Sequence, residues 1–233
     1  WLILFVIILL LMRKKFVEDG QKNFKPLDNR LKIFLFWTMV IPIVLATLYV
    51  SAMTIRENIV SVTGGPVHWH ADYEILACGE KLDLVDPTFP RNKIGTPLLH
   101  EHNDDRIHVE GTVNELMDIS LGNYFSAIDG HLTNEEISYF TYNGIKSYQN
   151  GQKCPDETIG EIKVYVNGNR ITDYENYILY PDAYSPPGDC IIIEFGSTES
   201  LNTSRICSSW LAKGWNYSSF ERAEKNIGRH TWQ

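Results

Sequence analysis

Thiolate chemistry is the first thing this sequence is short of. Only four cysteines stand in 233 residues, Cys78, Cys154, Cys190 and Cys207, and no two are spaced C-x-x-C. That excludes a zinc ribbon and a dithiol redox pair of the usual spacing. There is no G-x-S-x-G nucleophile elbow and no H-E-x-x-H helix, so no paired nucleophile or base motif marks an enzyme. Positive charge is scarce too: 21 basic residues face 29 acidic ones, a net −8, with no basic run interleaved with aromatics. Nucleic acid is therefore not an expected partner, because phosphate binding by counterion release needs clustered cations. Internal repeats and low-complexity segments are also lacking.

Long apolar runs are present at the start. "WLILFVIILLLM", residues 1–12, is followed by "RKK". Twelve residues rise about 18 Å as a helix, short of a hydrocarbon core about 30 Å thick. The run reads as the end of a first spanning helix truncated at its start. A signal-peptide core fits badly, since basic residues would precede it. The second run, Ile33 to Met53, carries no charge and is long enough to span, with Pro42 in its middle as an expected kink. Residues 1–56 are thus expected to form a transmembrane helical hairpin. Its loop, residues 13–32, holds seven basic residues against three acidic ones, a net +4 that leaves −12 for the rest. Short loops rich in Lys and Arg stay in the cytoplasm, which places the chain after about residue 56 outside. An outside location makes Cys78, Cys154, Cys190 and Cys207 disulfide candidates, with three pairings open. Asn202 and Asn216 head N-x-S/T sequons and are glycosylation candidates.

Residues 57–66 read as a linker ending in "SVTGGP", and residues 197–233 as a polar, aromatic-bearing tail. Between them the expected order is a hairpin about Gly79, a proline-bearing loop at 87–97, a strand "DRIHVEG" and a helix in "MDISLGNYFSAIDG". Residues 130–160 read as irregular, with a short helix at 133–140. "EIKVYVNGNRITDY" is a strand with an Asn-Gly turn, and "DCIIIEFGS" is a buried-type strand.

Histidine is where the chemistry concentrates. His68 and His70 stand in "VHWHADYE", and His100, His102 and His108 in "HEHNDDRIHVEG", so these two segments hold five of the seven histidines. Strand side chains alternate faces, which puts His68, His70, Asp72 and Glu74 on one face and Trp69, Tyr73 and Ile75 on the other. If the second segment is extended, His100, His102 and His108 also share a parity. Five imidazoles without thiolate or thioether point to copper(II) or zinc. Asp72, Glu101, Asp104, Asp105 and Glu110 are candidates to orient the rings from a second layer. Imidazole must be neutral to ligate, so binding is expected to weaken as pH falls through about 6.5. Taken as carboxylates alone, Asp72 and Glu74 read as a solvated edge. His131 and His230 read as isolated loop and tail residues.

Three resemblances bear on this. "SLGNYFSAIDG", "IKVYVNGNRITDYENYIL" and "PGDCIIIEFG" resemble the second half of small ubiquitin-like sulfur carriers. That implies an α+β chain whose residues 67–196 form a β-grasp-like ectodomain with a histidine-bearing insertion. The carriers' reactive Gly-Gly tail is not matched at Gln233, so carrier chemistry does not follow. His68, His70, His100, His102, His108 and Glu110, with "SLGNYF" and "VNG", resemble uncharacterised membrane-anchored proteins of archaea and small-genome bacteria. Here the stretch from His102 to His108 is one residue shorter than that pattern, and Asn103 stands at its aspartate. The layout of two helices and an outside domain beginning "VTGGPVHWHADYE" is similar in topology to the copper-bearing second subunit of haem–copper oxidases. The paired-cysteine copper loop of that family is missing.

The reading that results is a non-enzymatic, membrane-embedded accessory subunit of a larger membrane complex, with an extracytoplasmic copper or zinc site. A metal-free interaction subunit, docking its partner through the acidic ectodomain and tail, is the alternative.

Overall fold

The computed structural model describes residues 28–179, 188–197 and 205–214. The first apolar run, most of the basic loop, both sequons and the aromatics beyond Gly214 lie outside the described residues. The chain divides into two compact units, Trp1–Met53 and Thr54–Gln233. Among the described residues the architecture is mixed α and β, with one long apolar N-terminal helix and two sheets.

That helix, α1 (Asn29–Val60), is 32 residues long and buries none of them. At 1.5 Å per residue it extends about 48 Å, more than a bilayer's apolar thickness. Large apolar side chains such as Phe34, Trp37, Ile43 and Leu48 stand exposed along it. By length and composition it could cross a membrane. It runs through Pro42 without interruption.

The remaining strands are β1 (Pro66–Ala77), β2 (Glu80–Leu82), β3 (Ile94–Gly95), β4 (Leu99–Glu101), β5 (Arg106–Thr112), β6 (His131–Leu132), β7 (Glu136–Thr141), β8 (Gly144–Gln149), β9 (Glu161–Val166), β10 (Asn169–Ile171) and β11 (Asp189–Gly196). The main sheet has the order β10-β9-β11-β1-β5-β4-β3, and β2 also pairs with β1. β1 organises it. Its second half lies parallel to β11 and turns through Cys78 and Gly79, both at positive φ, into antiparallel β2. Its first half pairs antiparallel with β5. Hairpin, histidine-bearing strand, Asn-Gly hairpin and apolar last strand thus stand where the residue pattern puts them.

One face of this sheet builds the core. Ala71, Tyr73 and Ile75 of β1 join Leu99, Ile107, Val109, Val164, Ile191, Ile193 and Phe195 there. Against them pack Leu121, Tyr124 and Phe125 of α2 (Leu121–Ala127), whose N-cap Ser120 accepts a hydrogen bond from the Asn123 amide at 3.2 Å. The opposite face is covered near Cys190 and Ile192 by α3 (Ser208–Ala212), whose Trp210 is buried.

Residues 130–160 differ from expectation. Instead of irregular chain with a helix at 133–140, β6, β7 and β8 form a three-stranded antiparallel sheet. Ile137 and Tyr139 alternate inward along β7, and Asn143-Gly144 turns it into β8. Alternation and turn residue together outweigh helical propensity here. Asp72 and Glu74 also depart from the solvated edge expected of them: both are buried. Ser209 donates to Asp72 Oδ2 at 2.5 Å, and Ser208 donates to Glu74 through its amide and hydroxyl.

The four cysteines form two disulfides, Cys78–Cys154 and Cys190–Cys207. The first closes 76 residues and the second 17. In the chain-entropy model these loops are worth about 4.5 and about 3 kcal/mol. Replacing Cys78 and Cys154 together with Ala should therefore lower stability more than replacing Cys190 and Cys207. Urea unfolding of the full chain in detergent, followed by circular dichroism, reads the difference. A larger loss for the short loop would show that local packing around Cys190, not loop closure, dominates.

Candidate metal centre

The register of three adjacent strands builds the site. His70 of β1 stands opposite His108 of β5, and His108 stands opposite His100 of β4. Residues opposite each other in antiparallel pairs project to the same face, so three imidazoles line up across the sheet. His68 lies two residues before His70, opposite Glu110, and adds a fourth ring. The segment from His100 to His108 is not extended as parity had assumed. It turns between β4 and β5, with Asn103 and Asp105 at positive φ. The turn leaves His102 beside the others rather than one strand step away.

The rings are close. Centroid distances are 4.6 Å for His68–His70, 4.6 Å for His70–His108, 4.9 Å for His100–His102 and 4.7 Å for His102–His108. His100 and His108 stack at 5.5 Å. Among the described residues two groups could hold a metal ion, His68/His70/His108 and His100/His102/His108, each with ligand atoms within 4.8 Å of one another. His108 is common to both.

The hydrogen bonds say which nitrogens are free. A carboxylate only accepts, so the contact of 3.1 Å from His108 Nε2 to Asp104 Oδ2 places the ring proton on Nε2. His108 Nδ1 is then a lone pair, buried and without a hydrogen-bond partner among the described residues. In the same way, His102 Nδ1 donates to the Asn92 carbonyl at 2.6 Å and leaves Nε2 as its lone pair in the neutral ring. An imidazole held by a carboxylate or carbonyl on one nitrogen is the arrangement that orients a metal ligand. His100 is fully buried, and neither of its nitrogens has a hydrogen-bond partner among the described residues. Leaving such a group unsatisfied costs about 1–3 kcal/mol.

The second-layer candidates separate cleanly. Asp104 holds His108, and Glu110 lies 3.0 Å from His68 and 3.5 Å from His100. Asp72 instead accepts from Arg106 Nε at 2.7 Å, and Asp105 from Lys81 at 2.8 Å. Glu101 is one residue from His100 on a strand and so takes the other face, where it is buried and accepts from the Asn103 amide. His131 is exposed in β6, away from the cluster's strands.

Two glycines escaped the residue pattern. Gly188 sits at φ +84, and a Cβ there would lie 1.7 Å from the His70 carbonyl. Gly95 sits at φ +118, where a Cβ would meet the Leu99 carbonyl at 2.4 Å and His100 Cα at 2.9 Å. Both let backbone close onto a histidine-bearing strand. The only hint of this in the sequence is glycine at "KIGTP" and "PPGDC".

Burial keeps the inner rings neutral. His70 is lowered to about 4 by desolvation, then by repulsion from His108, His68 and Arg106. His100 is lowered to about 4 by desolvation, then by Lys93. Desolvation lowers His108 as well, against the pull of Asp104. His70 and His100 hold their lone pairs well below the ordinary imidazole value of about 6.5, and His108 is shifted in the same direction. The unfolded chain therefore binds more protons than the folded one between that value and about 4. Stability is fully present above about 6.5 and falls as pH drops through the window. The metal-free full chain, treated with chelator in detergent, should melt at lower temperature at pH 5 than at pH 7. His100→Asn should shrink that difference. A melting temperature flat from pH 7 to 5 would mean the rings are solvated.

No protein-family model, curated protein or solved structure matches this chain.

Proposed function

We propose that the chain is a membrane-anchored, non-enzymatic accessory subunit whose extracytoplasmic domain binds copper or zinc beside a larger membrane complex. One observation carries the metal: His70, His108 and His100 converge across three paired strands, with His68 and His102 adjoining and an unsatisfied, fully buried imidazole among them. An all-imidazole donor set, without thiolate or thioether, favours zinc and copper(II) over copper(I). The apolar helix α1 supports the anchor. The basic loop preceding it and the two disulfides support an outside domain. For the domain itself we favour a β-grasp-like fold. What supports it is the order β2-β1-β11-β9-β10, with the first and last strands parallel at its centre.

Full-length chain in detergent, stripped with chelator and then dialysed against zinc or copper(II), should retain metal after desalting. Its melting temperature should rise with metal concentration, by mass action on the folded state. His108→Ala, which removes the ring common to both groups, should weaken binding at least a hundredfold with little change in circular dichroism. Retention of neither metal, with an unmoved melting temperature, would leave a polar face and favour the metal-free interaction subunit.

A further inference from the structure

We infer that the site takes two divalent ions, bridged by the carboxylate of Glu110. This rests on the metal-binding reading and goes further, because it makes Glu110 a direct ligand and fixes the ion count.

The two oxygens of Glu110 face different halves of the cluster. Oε1 lies 3.0 Å from His68 Nε2, and Oε2 lies 3.5 Å from His100 Nε2. His68 belongs to the group on the β1 side and His100 to the group on the β4 side. Glu110 sits between them because it follows His108 by two residues on the same face of β5, the central strand of the three. A carboxylate in that position binds one ion through each oxygen, and two-metal sites of this kind hold their ions about 3.5–4 Å apart.

Each half has the dimensions for an ion, with His108 counted in both sets of distances and free to ligate in one of them. With a metal–nitrogen distance of about 2.05 Å, imidazole centroids around a tetrahedral ion lie about 5 Å apart. On the β1 side the centroids are separated by 4.6, 4.6 and 6.1 Å. On the β4 side they are separated by 4.9, 5.5 and 4.7 Å. The ring nitrogens, within 4.8 Å in each group, must close to about 3.3 Å for such an ion.

Charge points the same way. The five imidazoles bring no negative charge, and two neighbouring dications repel. Glu110 places an anion between them, while Asp104 stays on the Nε2 proton of His108 and leaves Nδ1 to ligate. One ion then has three imidazoles and a carboxylate oxygen. The other has two imidazoles and the second oxygen, with room left for water. No bond is broken and no redox partner is needed.

The test is a zinc titration of chelator-stripped, full-length chain in detergent, with bound metal counted by mass spectrometry, alongside electron paramagnetic resonance of the copper(II)-loaded chain. Two zinc ions per chain and an exchange-coupled copper pair are expected. Glu110→Gln, which keeps the shape and removes the charge, should retain one ion and bind the second at least tenfold more weakly. Its copper spectrum should become that of an isolated ion. One ion per wild-type chain overturns the pair and leaves the metal-binding reading standing; no ion overturns both. Two coupled ions in Glu110→Gln with unchanged affinity overturn the bridging role. If that variant fails to match the wild type by circular dichroism, the wild-type copper spectrum decides alone, since uncoupled copper excludes a carboxylate-bridged pair.

Discussion

Everything at the candidate site depends on the lateral pairing of β4, β5 and β1. Antiparallel neighbours hold opposite residues about 4.5–5.5 Å apart, which is also the spacing of imidazoles that share an ion. The pairing is set from the other face. Leu99, Ile107, Val109, Ala71 and Tyr73 are buried in the apolar core, and they alternate with His100, His108, Glu110 and His70 along the same strands. A slip of one residue would push the histidines into that core and the aliphatic side chains out of it. Hydrophobic packing on one side thus fixes the placement of the candidate ligands on the other, and they need no private scaffold.

The sheet continues past the histidines, and its outer face changes character there. Arg106 and Asp72 pair at the boundary. Beyond them, Glu74, Cys190 and Ile192 lie under the segment holding Trp210, fastened by Cys190–Cys207. One end of the face is therefore closed by covalent attachment, while His68 keeps its side chain 59% exposed at the other. The cluster thus meets solvent on the His68 side, away from the core.

Much of this was legible in the residues, and the limits are physical. Strict alternation in "VHWHADYE" gave β1 its two faces, and "VNG" gave the turn between β9 and β10, because both signals are local. The same alternation in "EISYFTYNG" is diluted by its polar neighbours, so the residue pattern alone does not mark β7 and β8. The five histidines could be named, but parity within a segment says nothing of which strands pair. The neighbours of His108 are set by contacts 38 residues upstream, at His70, and across a turn whose positive φ falls on Asn103 and Asp105 rather than on glycine. Asp72 and Glu74 looked solvated because their cover comes from Ser208 and Ser209, more than 130 residues on. Nothing local encodes a lid that distant.

The burial of His100 sets the candidate site apart from a polar surface. A histidine kept for solubility would face water, and one kept for structure would have both nitrogens hydrogen-bonded, as buried polar groups usually do. His100 does neither among the described residues. The desolvation that leaves it unsatisfied also holds it neutral at physiological pH, which is the state a metal requires. Gly95 lets the neighbouring backbone lie close to its Cα, where any Cβ would collide. In the proposed metal site, the same burial that costs the ion-free fold stability would prepare the ring to ligate, and an ion bound there would recover the lost interaction.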